Sequence, residues 1–111
     1  NFQTLQYLAD RDAVGYLIGK DHIATLVKNS SLSFRPGAEG YLSVFCMGKD
    51  AEGVTLEGLY YPLENGTLTA GFPLGVSNHF TGRPARITAH AGLVLALWDR
   101  KNGLGVRYAD L

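Results

Sequence analysis

Short apolar segments separated by turn signals recur along most of this chain, and they restrict the folds open to it. The segments are residues 13–19, 22–28, 31–37, 41–47, 53–62, 63–68, 85–99 and 104–110. Strand-like segments at intervals of roughly ten residues are typical of an antiparallel sandwich or barrel. After residue 12 the chain shows no alternation of strands and helices. The sequence therefore predicts a mainly β fold, an antiparallel β-sandwich or barrel-like domain.

Four dipeptides predict where the chain turns. Lys20-Asp21 joins two apolar runs as a hairpin candidate, and Pro36-Gly37 is a turn signal. Asn65-Gly66 gives the strongest hairpin signal, because both residues tolerate a positive φ. Residues 85–99 hold two strands around Ala91-Gly92, and residues 104–110 predict a last edge strand.

The opening segment differs from the rest of the chain. Apolar residues share one helical face there, namely Phe2, Leu5, Leu8 and Ala9. A helix of about three turns is marginal on its own, so we expect residues 1–12 to be the end of an upstream domain. Residues 13–111 are then the β domain, and the chain is expected to be a carboxy-terminal piece of a longer polypeptide.

Composition excludes several classes of function. Lys plus Arg and Asp plus Glu number ten each, and this zero net charge is unlike that of a nucleic-acid or anionic-membrane binder. The apolar fraction of 46% is too high for a disordered chain. The longest apolar run, residues 91–98, is far shorter than the ~20 residues of a membrane helix. A single cysteine, Cys46, cannot form an internal disulfide, so a cytoplasmic location is expected.

Residues that carry chemistry are sparse. The chain has no common phosphate-binding glycine motif, and His22, His79 and His90 lack the spacing of metal ligands. Cys46 lies within an apolar strand and is interpreted as a core residue. Ser30, Ser31 and Ser33 are interpreted as turn and solvent-face residues. On these residues alone we expect no catalytic group and no metal site, and a binding or interaction role is favoured.

One segment, "GLYYPLENGTLTAGFPLGVSNHF" at residues 58–80, resembles the carboxy-terminal thiamine-binding domain of thiamine pyrophosphokinases, also called thiamine diphosphokinases. The matching residues are Gly58, Leu59, Tyr61, Pro62, Leu63, Leu68, Gly71, Val76, Ser77, Asn78 and Phe80. Residues 41–48 and 85–97 resemble the flanking strands of that family more loosely. His79 departs from the pattern, because many relatives carry Glu there.

The resemblance implies a homodimeric two-domain enzyme that transfers pyrophosphate from ATP to the hydroxyl of thiamine and leaves AMP. Residues 1–12 then end an upstream nucleotide-binding domain, which holds ATP and Mg²⁺. The β domain supplies the thiamine pocket, at an active site formed between two subunits. This chain alone is expected to be inactive and to bind neither ATP nor Mg²⁺. The alternative is a non-catalytic β-sandwich that binds another small ligand or serves for dimerisation.

The thiamine-binding candidates are Ser77, Asn78, Tyr61 and Gly75. Ser77 and Asn78 offer hydroxyl and amide groups to an aminopyrimidine ring, and Gly75 permits the bend that brings both to one ligand. The other interpretation is that Ser77 and Asn78 satisfy the backbone of a turn. Tyr61 offers a ring face to a cation or a ring, although in a strand Tyr60 and Tyr61 would face opposite ways. Trp98 is either a pocket wall or a core residue.

Overall fold

Ten strands and one α-helix form the part of the chain that the computed structural model describes, residues 2–69 and 78–108. The helix is α1 (Phe2–Asp10), and a 3₁₀ turn spans Arg100–Asn102. The strands are β1 (Tyr16–Ile18), β2 (His22–Val27), β3 (Ser30–Phe34), β4 (Tyr41–Cys46), β5 (Ala51–Glu57), β6 (Leu63–Leu68), β7 (Asn78–His79), β8 (Ala85–Ala91), β9 (Val94–Asp99) and β10 (Val106–Tyr108).

The strands form two five-stranded sheets, and every strand pair in them is antiparallel. The first sheet has the order β1-β2-β9-β4-β7, and the second has the order β10-β3-β8-β5-β6. The mainly β, antiparallel sandwich predicted from the sequence is therefore confirmed. No helix in the described ranges is long and apolar enough to cross a membrane.

The core lies between the sheets, where alternate residues of each strand point inward. Its largest fully buried side chains include Trp98, Leu32, Leu42 and Ile87. Phe34 packs edge-on against Trp98, with ring centroids 5.0 Å apart. The indole Nε1 of Trp98 donates to the carbonyl oxygen of Gly103 at 2.7 Å, so its polar group is satisfied. Trp98 is 1% exposed and is a core residue.

Helix α1 covers part of the outer face of the first sheet. Leu5 and Ala9 are buried there against Ala24, Leu26 and Leu95. This contact explains why the first sheet is apolar on both faces, whereas the second sheet is polar outside. Phe2, which the sequence pattern placed on the apolar face of the helix, is 42% exposed.

Two predicted turns have different outcomes. β1 and β2 pair with Ile18 opposite Ile23, so the hairpin at Lys20-Asp21 is confirmed. The hairpin tip at Asn65-Gly66 is wrong, because both residues lie inside β6, and Gly66 pairs with Val54. The register of this pair shifts on both sides of Val54, and Asn65 has φ 46°. The positive φ that suits a hairpin turn is used here by an irregular edge strand.

The strands around Ala91-Gly92 are confirmed, but β8 and β9 belong to different sheets, so the chain crosses the sandwich at this point. Strand β10 is an edge strand, as predicted. The prediction for the serines is wrong at two positions: Ser30 is 5% and Ser31 is 3% exposed. Both lie in β3, a strand with neighbours on either side, rather than in a turn.

Candidate functional site

Residues 58–62 connect β5 to β6 and bind the edge of the opposite sheet. The backbone N–H of Tyr60 donates to the carbonyl oxygen of His79 at 3.0 Å, and Leu59 forms a β-bridge with Phe80. The hydroxyl of Thr81 donates to the carbonyl oxygen of Gly58 at 2.8 Å. The connection leaves the second sheet but is fixed to β7 of the first, so its side chains have a defined position at this corner.

The side chain of Asn78 holds the backbone of Tyr61. Its Oδ1 accepts from the N–H of Tyr61 at 2.9 Å, and its Nδ2 donates to the Tyr61 carbonyl oxygen at 2.7 Å. The same Oδ1 also accepts from the N–H of His79 at 2.9 Å. Asn78 is 1% exposed. Because this amide is buried and bonded at both ends, it sets the position of Tyr61.

Four rings meet at the same corner and form what we call the aromatic cluster: Tyr41, Tyr60, Tyr61 and His79. The His79 ring stacks on Tyr60, with centroids 4.5 Å apart and planes at 26°. Tyr61 packs edge-on against Tyr60 at 4.9 Å, and Tyr41 packs edge-on against His79 at 6.0 Å. Tyr41 and His79 are direct partners in the β4–β7 pair, so they lie on one face of the sheet.

The cluster faces solvent instead of the core. Tyr41 is 66% exposed, and Tyr60 and Tyr61 are each 59% exposed. Exposed tyrosine rings held in fixed positions present π faces and hydroxyl groups to a ligand. Such faces attract an organic cation by about 0.5–2 kcal/mol. The arrangement can therefore bind a flat, positively charged molecule.

A groove of about 850 Å³ lies against the same connection, within the size range of small-molecule sites. Gly58, Leu59 and Pro62 contribute to its wall. Its charged and ionisable lining residues are Glu57, Glu64, Arg83 and His90. The connection therefore borders two ligand-accessible surfaces, one aromatic and the other polar.

The structure brings together two of the residues predicted from the sequence, Tyr61 and Asn78. The Asn78 amide satisfies backbone groups, which is the second of the two interpretations given for it, and it is not exposed to a ligand. Gly75 and Ser77 lie outside the described residues. The expectation that Tyr60 and Tyr61 face opposite ways is wrong, because they lie in a connection and their rings touch.

Three residues of the aromatic cluster were not predicted as site residues from the sequence, namely Tyr41, Tyr60 and His79. The pairing of β4 with β7 brings Tyr41 to the site, and no local pattern reveals that pairing. Within residues 2–69 and 78–108, no group of three His, Cys, Asp or Glu residues is arranged to hold a metal ion.

The fold places this chain in the class of mainly β domains, with two antiparallel sheets and one helix against an outer face. Residues 29–94, more than half of the chain, match the family described as thiamin pyrophosphokinase, vitamin B1 binding domain. The chain belongs to this family. No curated protein sequence matches the chain.

Solved structures share the fold. Thiamine pyrophosphokinase from Bacillus subtilis is 22% identical, with a TM-score of 0.80 over 89% of this chain and 47% of its own. The enzyme from Geobacillus thermodenitrificans is 18% identical, with a TM-score of 0.72 over 86% of this chain and 46% of its own. A family protein from Enterococcus faecalis is 23% identical, with a TM-score of 0.60 over 76% of this chain and 39% of its own. The chain spans less than half the length of these proteins.

Proposed function

We propose that this chain is the thiamine-binding domain of a thiamine pyrophosphokinase, which transfers pyrophosphate from ATP to thiamine and yields thiamine diphosphate and AMP. The observation that carries the proposal is the family match over residues 29–94, a range that contains Tyr61 and Asn78. The proposal includes a cytoplasmic homodimer, as the resemblance implies.

In this proposal thiamine binds at the aromatic cluster. The thiazolium ring is cationic and the aminopyrimidine ring is flat, and tyrosine faces suit both. Tyr61 contacts the ligand, and Asn78 acts on it through the backbone of Tyr61, to which its amide is bonded. Ser77 and Gly75, which precede Asn78 in sequence, remain proposed thiamine-binding residues.

The role of this domain in the reaction is to position thiamine. Phosphoryl-type transfer depends on alignment of the attacking oxygen with the leaving group, and Mg²⁺ neutralises the developing charge. As the family resemblance implies, the proposal assigns ATP and Mg²⁺ to another domain of the full-length protein. The contribution of this chain is to hold the thiamine hydroxyl in a fixed direction.

The first experiment uses the longest natural protein that contains this chain. It is incubated with ATP, Mg²⁺ and thiamine, and both AMP and thiamine diphosphate are measured. Formation of both products supports the proposed reaction. Absence of both products with thiamine and with its close analogues contradicts it, and the domain is then a binding module for another ligand.

A second experiment locates the thiamine site. We expect Tyr61→Ala to raise the KM for thiamine and to leave the KM for ATP unchanged. The groove is the alternative binding site for thiamine, because the carboxylates of Glu57 and Glu64 attract a cation. If Glu64→Gln raises the KM for thiamine and Tyr61→Ala does not, thiamine binds in the groove and the assignment to the aromatic cluster is wrong.

A further inference from the structure

A second, smaller pocket lies at another part of the sandwich. Its volume is about 260 Å³, and it shares no lining residue with the aromatic cluster or the groove. The end of α1, the connection from α1 to β1, the turn from β2 to β3, and β10 all contribute to it. Its polar lining residues are Asp12, Lys28, Asn29, Ser30 and Arg107.

Two cations and one carboxylate line this pocket. The Nζ atom of Lys28 lies 3.0 Å from the carbonyl oxygen of Ala9 and 3.4 Å from Oδ1 of Asp12. The side chain of Asp12 is 92% exposed, and that of Lys28 is 42% exposed. An ion pair this exposed is weak, so an incoming anion can replace the Asp12 carboxylate at Lys28.

The guanidinium group of Arg107 is held by two residues of β2. One terminal nitrogen donates to the carbonyl oxygen of Leu26 at 3.2 Å, and the other donates to the hydroxyl of Thr25 at 3.0 Å. Its Nε is buried and has no hydrogen-bond partner among the described residues. A buried donor without an acceptor is uncommon in proteins, and a bound water or ion is one explanation for it.

We propose that this pocket binds a phosphate group, either as free phosphate or as a small phosphate monoester. Phosphate carries several acceptor oxygens and a negative charge, which match Lys28, Arg107, and the hydroxyl and amide groups of Ser30 and Asn29. The volume is below the ~300 Å³ at which sites for drug-sized ligands begin, so the ligand has few atoms. This site is independent of the proposed reaction with thiamine.

The test uses inorganic phosphate and three charge variants of the longest natural protein. Asp12→Asn removes the competing carboxylate, and Asn tolerates the φ of 56° at this position. We expect it to bind phosphate about threefold more tightly. Lys28→Gln removes the exposed cation and is expected to weaken binding at least threefold. Lys20→Gln removes the same charge from a residue outside the pocket and should bind as the wild type does.

Binding is measured by line broadening of the ³¹P signal, at an ionic strength kept constant with chloride. Methyl phosphate in a parallel titration shows whether an esterified phosphate also binds. Urea midpoints of the variants show that each is folded. The proposed order of affinities, Asp12→Asn above wild type above Lys28→Gln, supports the site. Equal broadening in all variants, or broadening no greater than that of an unrelated protein, would show that the proposed phosphate site is wrong and that the pocket holds only water.

Discussion

Asn78 and Tyr61 are 17 residues apart in sequence, yet the amide of one satisfies both backbone polar groups of the other. Asn102 makes the same pair of bonds to the backbone of Glu39, accepting from its N–H at 3.0 Å and donating to its carbonyl oxygen at 2.8 Å. The two clamps differ in their surroundings. Asn78 is buried, whereas the bonds of Asn102 to Glu39 are exposed to solvent.

This difference predicts unequal costs for the same substitution. Asn78→Ala removes three hydrogen bonds and leaves their backbone partners without that amide, so we expect the free energy of unfolding to fall by about 2–3 kcal/mol. Asn102→Ala should cost less than about 1 kcal/mol, because water can replace an exposed amide. Urea denaturation of both variants measures the two costs. Equal losses would show that burial of the Asn78 clamp adds nothing.

The stack of His79 on Tyr60 predicts a role for the imidazole in thiamine affinity. His79→Ala removes the ring that supports Tyr60, and we expect the KM for thiamine to rise about threefold to tenfold, the size of a typical aromatic pair. His79→Phe restores a flat ring and should recover most of the loss. Steady-state kinetics with thiamine and with ATP separate this effect from a general loss of activity. A KM unchanged in His79→Ala would remove His79 from the site.

Gly58 begins the connection of residues 58–62, and we expect a side chain at this position to destabilise the protein strongly. Its φ is 70°, and a Cβ atom there would overlap the carbonyl group of Pro84. Gly37 has φ 92°, but a Cβ atom would meet nothing within 4 Å. We expect Gly37→Ala to cost about 1–2 kcal/mol from backbone strain alone, and Gly58→Ala to cost clearly more. Thermal unfolding of both variants tests this order, and a Gly58→Ala protein as stable as Gly37→Ala would contradict it.

Because Trp98 is fully buried, replacing it with a smaller side chain should leave a cavity in the core and lower the free energy of unfolding. Trp98→Phe removes part of a fully buried side chain and the donor that satisfies Gly103. We expect a loss of about 2–3 kcal/mol in the free energy of unfolding, from the cavity and from the unpaired carbonyl oxygen. Urea denaturation followed by far-ultraviolet circular dichroism gives the value. A loss below about 0.5 kcal/mol would show that the core repacks around the smaller ring.

The sequence predicted the fold class and the strands whose apolar residues alternate, because burial on one face leaves a period of two in the sequence. It did not predict the course of residues 63–68. Asn65 takes a positive φ in a strand irregularity as readily as in a hairpin turn, so the local signal is ambiguous.

The candidate site was predictable only in part. Tyr61 and Asn78 stood out within one segment, but the bonds between them depend on how that segment folds back on itself. Tyr41 reaches the aromatic cluster through the pairing of β4 with β7. The smaller pocket, which Arg107 lines, is formed by residues from both ends of the chain, and no local sequence pattern brings them together.

The edge strands have a consequence for how copies of this domain meet one another. Open edges invite strand addition from a second molecule, and that pairing is the usual start of aggregation in β proteins. Within the described residues, three of the four edge strands, β1, β7 and β10, are two or three residues long, and β7 is also covered by the bonds of Leu59 and Tyr60. The fourth, β6, is longer but carries the register shifts opposite β5 together with the charged Glu64. The irregular hydrogen bonding along β6, the longest edge strand, therefore hinders the addition of a strand from another molecule.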